Sequence, residues 1–189
     1  GGDVTWDKSY RGGSERYGES IYTNRWEMLG TYQLPIKEPV MFSWSLNDHD
    51  QNSVYGNTIY EARQKVAFYQ LSWDKKIKNH DLLFGSALRY TFYDDNTPAT
   101  ALPNGQNNTE GVWLPGIFVQ DEIALAEKHK FLLGIRYDYN SNHGNILTPR
   151  FAYKWIFNEN NILRLNAGTG FRVVSLFTEE HAVLTGSRE

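Results

Sequence analysis

"SIYTNRWEMLGTYQL", residues 20–34, alternates with a period of two. Tyr22, Trp26, Met28, Tyr32 and Leu34 share one parity; Thr23, Arg25, Glu27, Thr31 and Gln33 share the other. Successive side chains of a strand point to opposite faces, so this spacing predicts a β-strand with one apolar-aromatic face and one mostly polar face.

The same period recurs along the chain. After the turn "PIKEP", Val40, Phe42, Trp44 and Leu46 stand opposite Met41, Ser43, Ser45 and Asn47. "DHDQNSVYGN" then reads as a polar loop. Residues 58–74 predict a longer strand, apolar late on one parity (Ala67, Tyr69, Leu71, Trp73) but charged early on it (Glu61, Arg63, Lys65). Such a strand either projects beyond an apolar layer or carries a bulge. Leu82, Phe84, Leu88, Tyr90 and Phe92 mark the next strand, and "DDNTPATALPNGQNNTEG", residues 94–111, is the longest interruption. Residues 117–125 alternate less cleanly, because Asp121 falls on the parity of Val119 and Ile123. Residues 131–139 and 151–157 alternate well. In "NAGTGFRVVSLF", residues 166–177, the parity of Leu163 and Leu165 continues through Ala167 to Phe171. The glycines there sit on the polar side, where close approach of another backbone is the usual reason for glycine in a strand.

Composition narrows the class. The 189 residues carry a net charge of −3, so no basic patch is available for nucleic acid. Phe, Trp and Tyr make up 15% of the chain although the mean hydropathy is −0.57, which means many aromatics on otherwise polar strands. There is no cysteine, hence no disulfide framework or thiolate metal site. The chain opens on Gly1-Gly2 without an initiating Met and is expected to be a piece of a longer protein. About eight long strands, apolar on one face and polar on the other, with short turns at one end and longer loops at the other, predict an antiparallel transmembrane β-barrel. That alternation places both chain ends among the longer, outer loops. Residues 1–189 are therefore expected to form one partial barrel domain, not a closed eight-stranded barrel.

Residues 117–177 carry a resemblance. Gln120-Asp121-Glu122, Gly134-Ile135-Arg136-Tyr137-Asp138, Thr148-Pro149-Arg150 and Gly168-Thr169-Gly170-Phe171-Arg172, in this order and spacing, resemble the middle barrel segment of TonB-dependent outer-membrane receptors of a Bacteroides-like kind. The resemblance implies a barrel of about twenty-two strands filled by a plug. It also implies import of a scarce ligand, a ferric siderophore or cobalamin, with energy from the inner-membrane coupling protein TonB. Glycan import by the same family, or a passive porin-like or adhesin barrel, is the alternative.

Candidate sites fall in the loops. Trp6, Tyr10, Tyr55, Tyr93 and Trp113 lie in or beside long loops, where aromatic rings stack on ligands; Tyr93 and Trp113 also fit a membrane-interface girdle. Arg172 would guide an anionic ligand near the outer mouth. Arg89, Arg136, Arg150 and Arg164 share the polar parity and are expected to pair with acids inside the barrel. Asp48, Asp50 and Asn52 have the opening spacing of a calcium loop, but Ser53 and Ile59 stand where it needs glycine and an acid. A looser calcium site shared with Asp94 and Asp95 remains an expectation, solvated carboxylates being the plainer account. The five histidines form no ligand-spaced pair. Gly168-Thr169-Gly170 lacks the third glycine of a nucleotide fingerprint, and no Ser-His-Asp set can be assembled. No enzyme and no resident cofactor are expected.

Overall fold

The computed structural model describes residue 5 and residues 7–172. One antiparallel sheet contains eight strands in chain order: β1 (Glu19–Gln33), β2 (Val40–Tyr55), β3 (Thr58–Ile77), β4 (His80–Asp95), β5 (Glu110–Ala126), β6 (His129–Asn140), β7 (Gly144–Asn158) and β8 (Asn161–Gly168). A single 3-10 turn (Lys8–Tyr10) precedes them. Every pairing joins sequence neighbours, so each hairpin forms from local contacts.

The period-two pattern becomes two faces through register. Cross-strand partners share a face, and one row reads Tyr32, Phe42, Leu71, Ser86, Ile117, Tyr137 and Leu147. Below it lies the row Trp73, Phe84, Val119 and Ile135. Val119, Ile135 and Leu133 are each more than a third exposed, as a lipid-facing surface requires. The opposite face carries Gln70, Gln120, Glu122, Arg136, Arg150 and Lys154. The first row starts next to the last residue of β1 and ends three residues into β7. Strands therefore tilt against the belt, as they do in the wall of a barrel.

Four turns at one end are short: residues 34–39, 78–79, 127–128 and 159–160. At the other end the chain differs from the sequence reading. "DHDQNSVYGN" is not a loop. β2 runs through it to Tyr55 and returns as β3 after Gly56 and Asn57, the glycine supplying the positive φ of +61° that a two-residue hairpin turn needs. Likewise residues 140–148 are mostly strand, closed by a turn of residues 141–143, and β5 begins at Glu110. Beyond the lipid layer neither face of a strand is required to be apolar, so alternation fades while backbone pairing continues. β3 pairs with β2 without a register shift, so the charged start of β3 reflects projection and not a bulge. Only residues 96–109 form a long connection at that end among the described residues.

β8 ends at Gly168, so Phe171 and Arg172 lie past the strand instead of within it. The expected backbone crowding holds at Gly168, where a Cβ would sit 3.1 Å from the Pro149 carbonyl oxygen. β1 and β8 do not pair with each other among the described residues, so the sheet is open.

On β7, single cysteines replacing Phe151, Tyr153 and Trp155 in the full-length protein will resist a water-soluble maleimide. Cysteines replacing Arg150, Ala152 and Lys154 will react. The reverse pattern would invert the two faces.

Outer tip and inner wall as candidate functional site

The tightest packing lies not in the belt but where β2, β3 and β4 project beyond it. Ser53, Val54, Tyr60, Ala62, Tyr93, Asp95 and Thr97 are all buried there. Asp95, 2% exposed, organises this tip. Its Oδ1 accepts from the Thr97 amide (3.0 Å) and hydroxyl (3.0 Å) and from the Thr100 hydroxyl; its Oδ2 accepts from the Tyr93 hydroxyl (2.5 Å). Asn96 extends the hold: its side chain donates to the Ile59 carbonyl (3.1 Å) and accepts from the Glu61 amide (2.9 Å). The start of the 96–109 connection is thereby pinned over β3. Burial, reinforced by the Asp95 carboxylate and the Tyr60 hydroxyl, pushes the Tyr93 phenol far above its ordinary value; burial also raises Tyr60.

The opposite face of the tip is covered by the segment before β1. Arg11 donates to Ser20 Oγ (2.8 Å) and to the Asn52 carbonyl oxygen (3.3 Å) and side chain, and lies 4.9 Å from the Tyr22 ring centre. Tyr17 packs over Gly56 at the hairpin turn.

Along the inner face, Arg136 donates two hydrogen bonds to Asp138 (2.7 and 2.6 Å), and Asp138 is fully buried. Gly116 makes the room, since a Cβ there would collide with the Asp138 carboxylate. Phe118 lies across Gly85 in the same way. Arg136, Arg150, Gln70, Gln120 and Phe118 line a shallow groove of about 290 Å³. Nearer the short-turn end, Lys130, Lys154 and Arg164 occupy one cross-strand row, with Glu122 bonded to Lys130 at 2.8 Å. Like charges set directly opposite one another destabilise a sheet. This inner face therefore favours an anionic neighbour.

The chain matches the family described as TonB dependent receptor-like, beta-barrel, over residues 1–178. It belongs to that family. No curated protein matches it. Among solved structures it is similar to the siderophore receptor PirA of Pseudomonas aeruginosa, with a TM-score of 0.65 and 11% identity, over 84% of this chain and 28% of that one. At that identity the likeness is one of fold. The chain spans under a third of the receptor's length.

Within this TonB-dependent receptor barrel wall, the residues singled out from sequence do not converge. Trp6 and the residues after Arg172 lie outside the described residues. Tyr10 sits in the 3-10 turn with Arg16 over its ring at 5.3 Å. Tyr55 closes β2 at the hairpin tip. Trp113 stands on the lipid-facing parity, half exposed and 4.5 Å from Tyr90 between ring centres, which is a girdle position. Tyr93 fits neither expectation, because its hydroxyl is committed to Asp95 inside the tip.

The four aspartates are also separated. Asp48 and Asp50 lie on β2, not in a loop, and face cations: Asp48 bonds Arg63 (2.8 Å), with Lys65 at 4.0 Å. That hydrogen bond with Arg63 holds the Asp48 carboxyl below its ordinary value and raises Arg63. Asp94 is the register partner of Arg63, whereas Asp95 points to the other face. Among the described residues no three potential ligands gather around one point. What sequence reasoning missed is the tip network itself. Its signal, an Asx-turn pattern of Asp95 followed by Thr97, was hidden inside a stretch that reads as unstructured loop.

Of the inner arginines, Arg136 pairs with an acid, but with Asp138 on its own strand and not with one from a neighbouring strand. Arg89 instead lies over the Phe68 ring at 5.8 Å.

Proposed function

We propose that the chain is part of the wall of a TonB-dependent receptor barrel of about twenty-two strands in the bacterial outer membrane. The receptor binds a scarce ligand, a ferric siderophore or cobalamin, on its outer side and imports it into the periplasm, energised through TonB. It is a transporter and carries out no catalysis. The observation that best supports this reading is the division of one eight-stranded sheet into an aromatic outer belt and a polar inner wall, in which, among the described residues, the Lys130–Lys154–Arg164 row bonds a single acid, Glu122. A soluble sandwich would bury its aromatic face, and a purely structural barrel has no need of an unbalanced cation row inside.

Ferric chelates with catecholate or hydroxamate groups are anionic and too bulky for efficient passage through an open pore. The guanidinium group of Arg150 suits such oxygens. Tyr10, Tyr55, Trp6 and Arg172 are the outer-side candidates for ligand capture. No resident cofactor is required, and calcium would act, if at all, through the outer-strand aspartates.

The test is tryptophan fluorescence of the full-length receptor in detergent, titrated with ferric catecholates, ferric hydroxamates, cobalamin with and without calcium, haem and short glycans. Binding of one ferric chelate or of cobalamin with a Kd on the order of 0.1 µM, about −9.5 kcal/mol, is expected. Binding of glycans alone would replace this cargo, and binding of nothing would overturn the import reading.

A further inference from the structure

The lipid-facing surface contains a polar, ionisable pair that a belt of this kind has no structural reason to hold. Asp121, five residues from the short-turn end of β5, lies on the lipid parity, with Leu82 and Leu133 as its register partners. Its Oδ2 is 2.7 Å from His80 Nδ1, while its Oδ1 is buried without a hydrogen-bond partner. An ionisable side chain in the spanning segment is costly and marks function more often than packing. β4 and β5 are both flanked by described strands, so the pair sits on a finished part of the wall.

Two neighbouring features say what would meet it. An open groove of about 690 Å³ begins at the Asp121 row and continues towards the belt centre, lined by Val119, Leu133, Ile135, Pro149, Phe151 and Ala167 on the lipid side. The groove is apolar and runs across β5, β6, β7 and β8 over two register rows. Asp121 also shares its register row with Lys75, which is paired to Glu38 at 2.6 Å, and Trp73 on the neighbouring row donates its indole N–H to the same Glu38 (3.2 Å). Tryptophans with a polar anchor mark the headgroup level of a bilayer. Lys75 is thus already neutralised, and the charge left to be matched is the carboxylate of Asp121, which calls for a cation from the lipid phase.

We propose that Asp121, His80 and the adjoining groove bind a phospholipid with a primary-ammonium headgroup, the ammonium beside the carboxylate and an acyl chain in the groove. The proposal rests on the outer-membrane reading given above. A choline headgroup has the same charge but no N–H to donate, and a glycerol headgroup has no cation, so headgroup chemistry separates this site from general lipid adhesion.

The experiment is native mass spectrometry of the full-length receptor in detergent doped with equal amounts of dioleoyl phosphatidylethanolamine, phosphatidylcholine and phosphatidylglycerol. The wild type is expected to retain the ethanolamine lipid about fivefold over the choline lipid. D121N and H80F should reduce that ratio to about one, and K154Q, on the opposite face, should leave it unchanged. Equal retention of the three lipids by the wild type, or an undiminished ratio in D121N, would overturn the proposal. The wild-type comparison stands even if a variant fails to fold. Ferric-chelate binding by the same samples reports the receptor reading separately: a receptor that binds chelate but shows no headgroup preference removes only the lipid site.

Discussion

Val119→Arg will destabilise the folded, membrane-inserted receptor by about 2–4 kcal/mol, whereas Gln120→Arg, one residue along β5, will change stability by less than about 0.5 kcal/mol. Val119 lies between Phe84 and Ile135 in the lipid-facing row, near the middle of β5's belt segment. A guanidinium there must enter hydrocarbon or drag water and headgroups inward. Gln120 borders the inner groove, where an added cation remains hydrated. Thermal midpoints of the full-length variants in vesicles, together with their folded fraction by heat-modifiable gel shift, measure the difference. Equal costs at the two positions would mean that this sheet does not face lipid on one side only.

Asp95→Ala is expected to release the outer tip, with a local loss of about 3 kcal/mol. Asp95 accepts hydrogen bonds from Tyr93, Thr97 and Thr100 at a site closed to solvent. Alanine would take the buried carboxylate from the Thr97 amide and from the Thr97, Thr100 and Tyr93 hydroxyls. Hydrogen exchange should accelerate in residues 96–101 while the amides of β3 between residues 67 and 77 keep their protection. If both regions loosen together, the tip is not a separate unit.

Alkali should open the same region. The Tyr93 phenol titrates above its unfolded value of 10.0 because burial opposes the phenolate. A group whose folded pKa is raised contributes its full stabilisation below the unfolded pKa and loses it as pH climbs beyond that point. Tip protection is therefore constant through neutral pH and declines above about pH 10, and Tyr93→Phe should weaken that decline, leaving the part owed to the raised Tyr60 phenol.

The outer tip bears on how the receptor handles ligand. Its two faces are covered by different segments, the 96–109 connection on one and the residues before β1 on the other. A rigid platform of this kind can hold loop side chains in fixed positions above the barrel mouth, which lowers the ordering cost of capture. The inner wall below it carries Arg136, held by Asp138, then Arg150 and the Lys130–Lys154–Arg164 row.

Sequence by itself determined which residues face lipid and which face the lumen. Tyr32, Phe42, Leu71, Phe84, Val119, Ile135, Phe151 and Leu165 all stand where period two put them, because a lipid-facing surface tolerates almost nothing but apolar and aromatic side chains. It also located the four short turns, since each interrupts that alternation. The reach of the strands past the belt was decided by the tertiary structure. From Asp48 to Tyr55 no apolar alternation marks either face, so that stretch reads as loop, yet its backbone pairing with the charged start of β3 runs unbroken to the turn. The tip and the polar notch in the belt needed three dimensions for the same reason. Asp95 gains its meaning from Tyr93, Thr97 and Thr100 closing around it out of water. Asp121 gains its own from His80, forty-one residues away in sequence and one strand away in space.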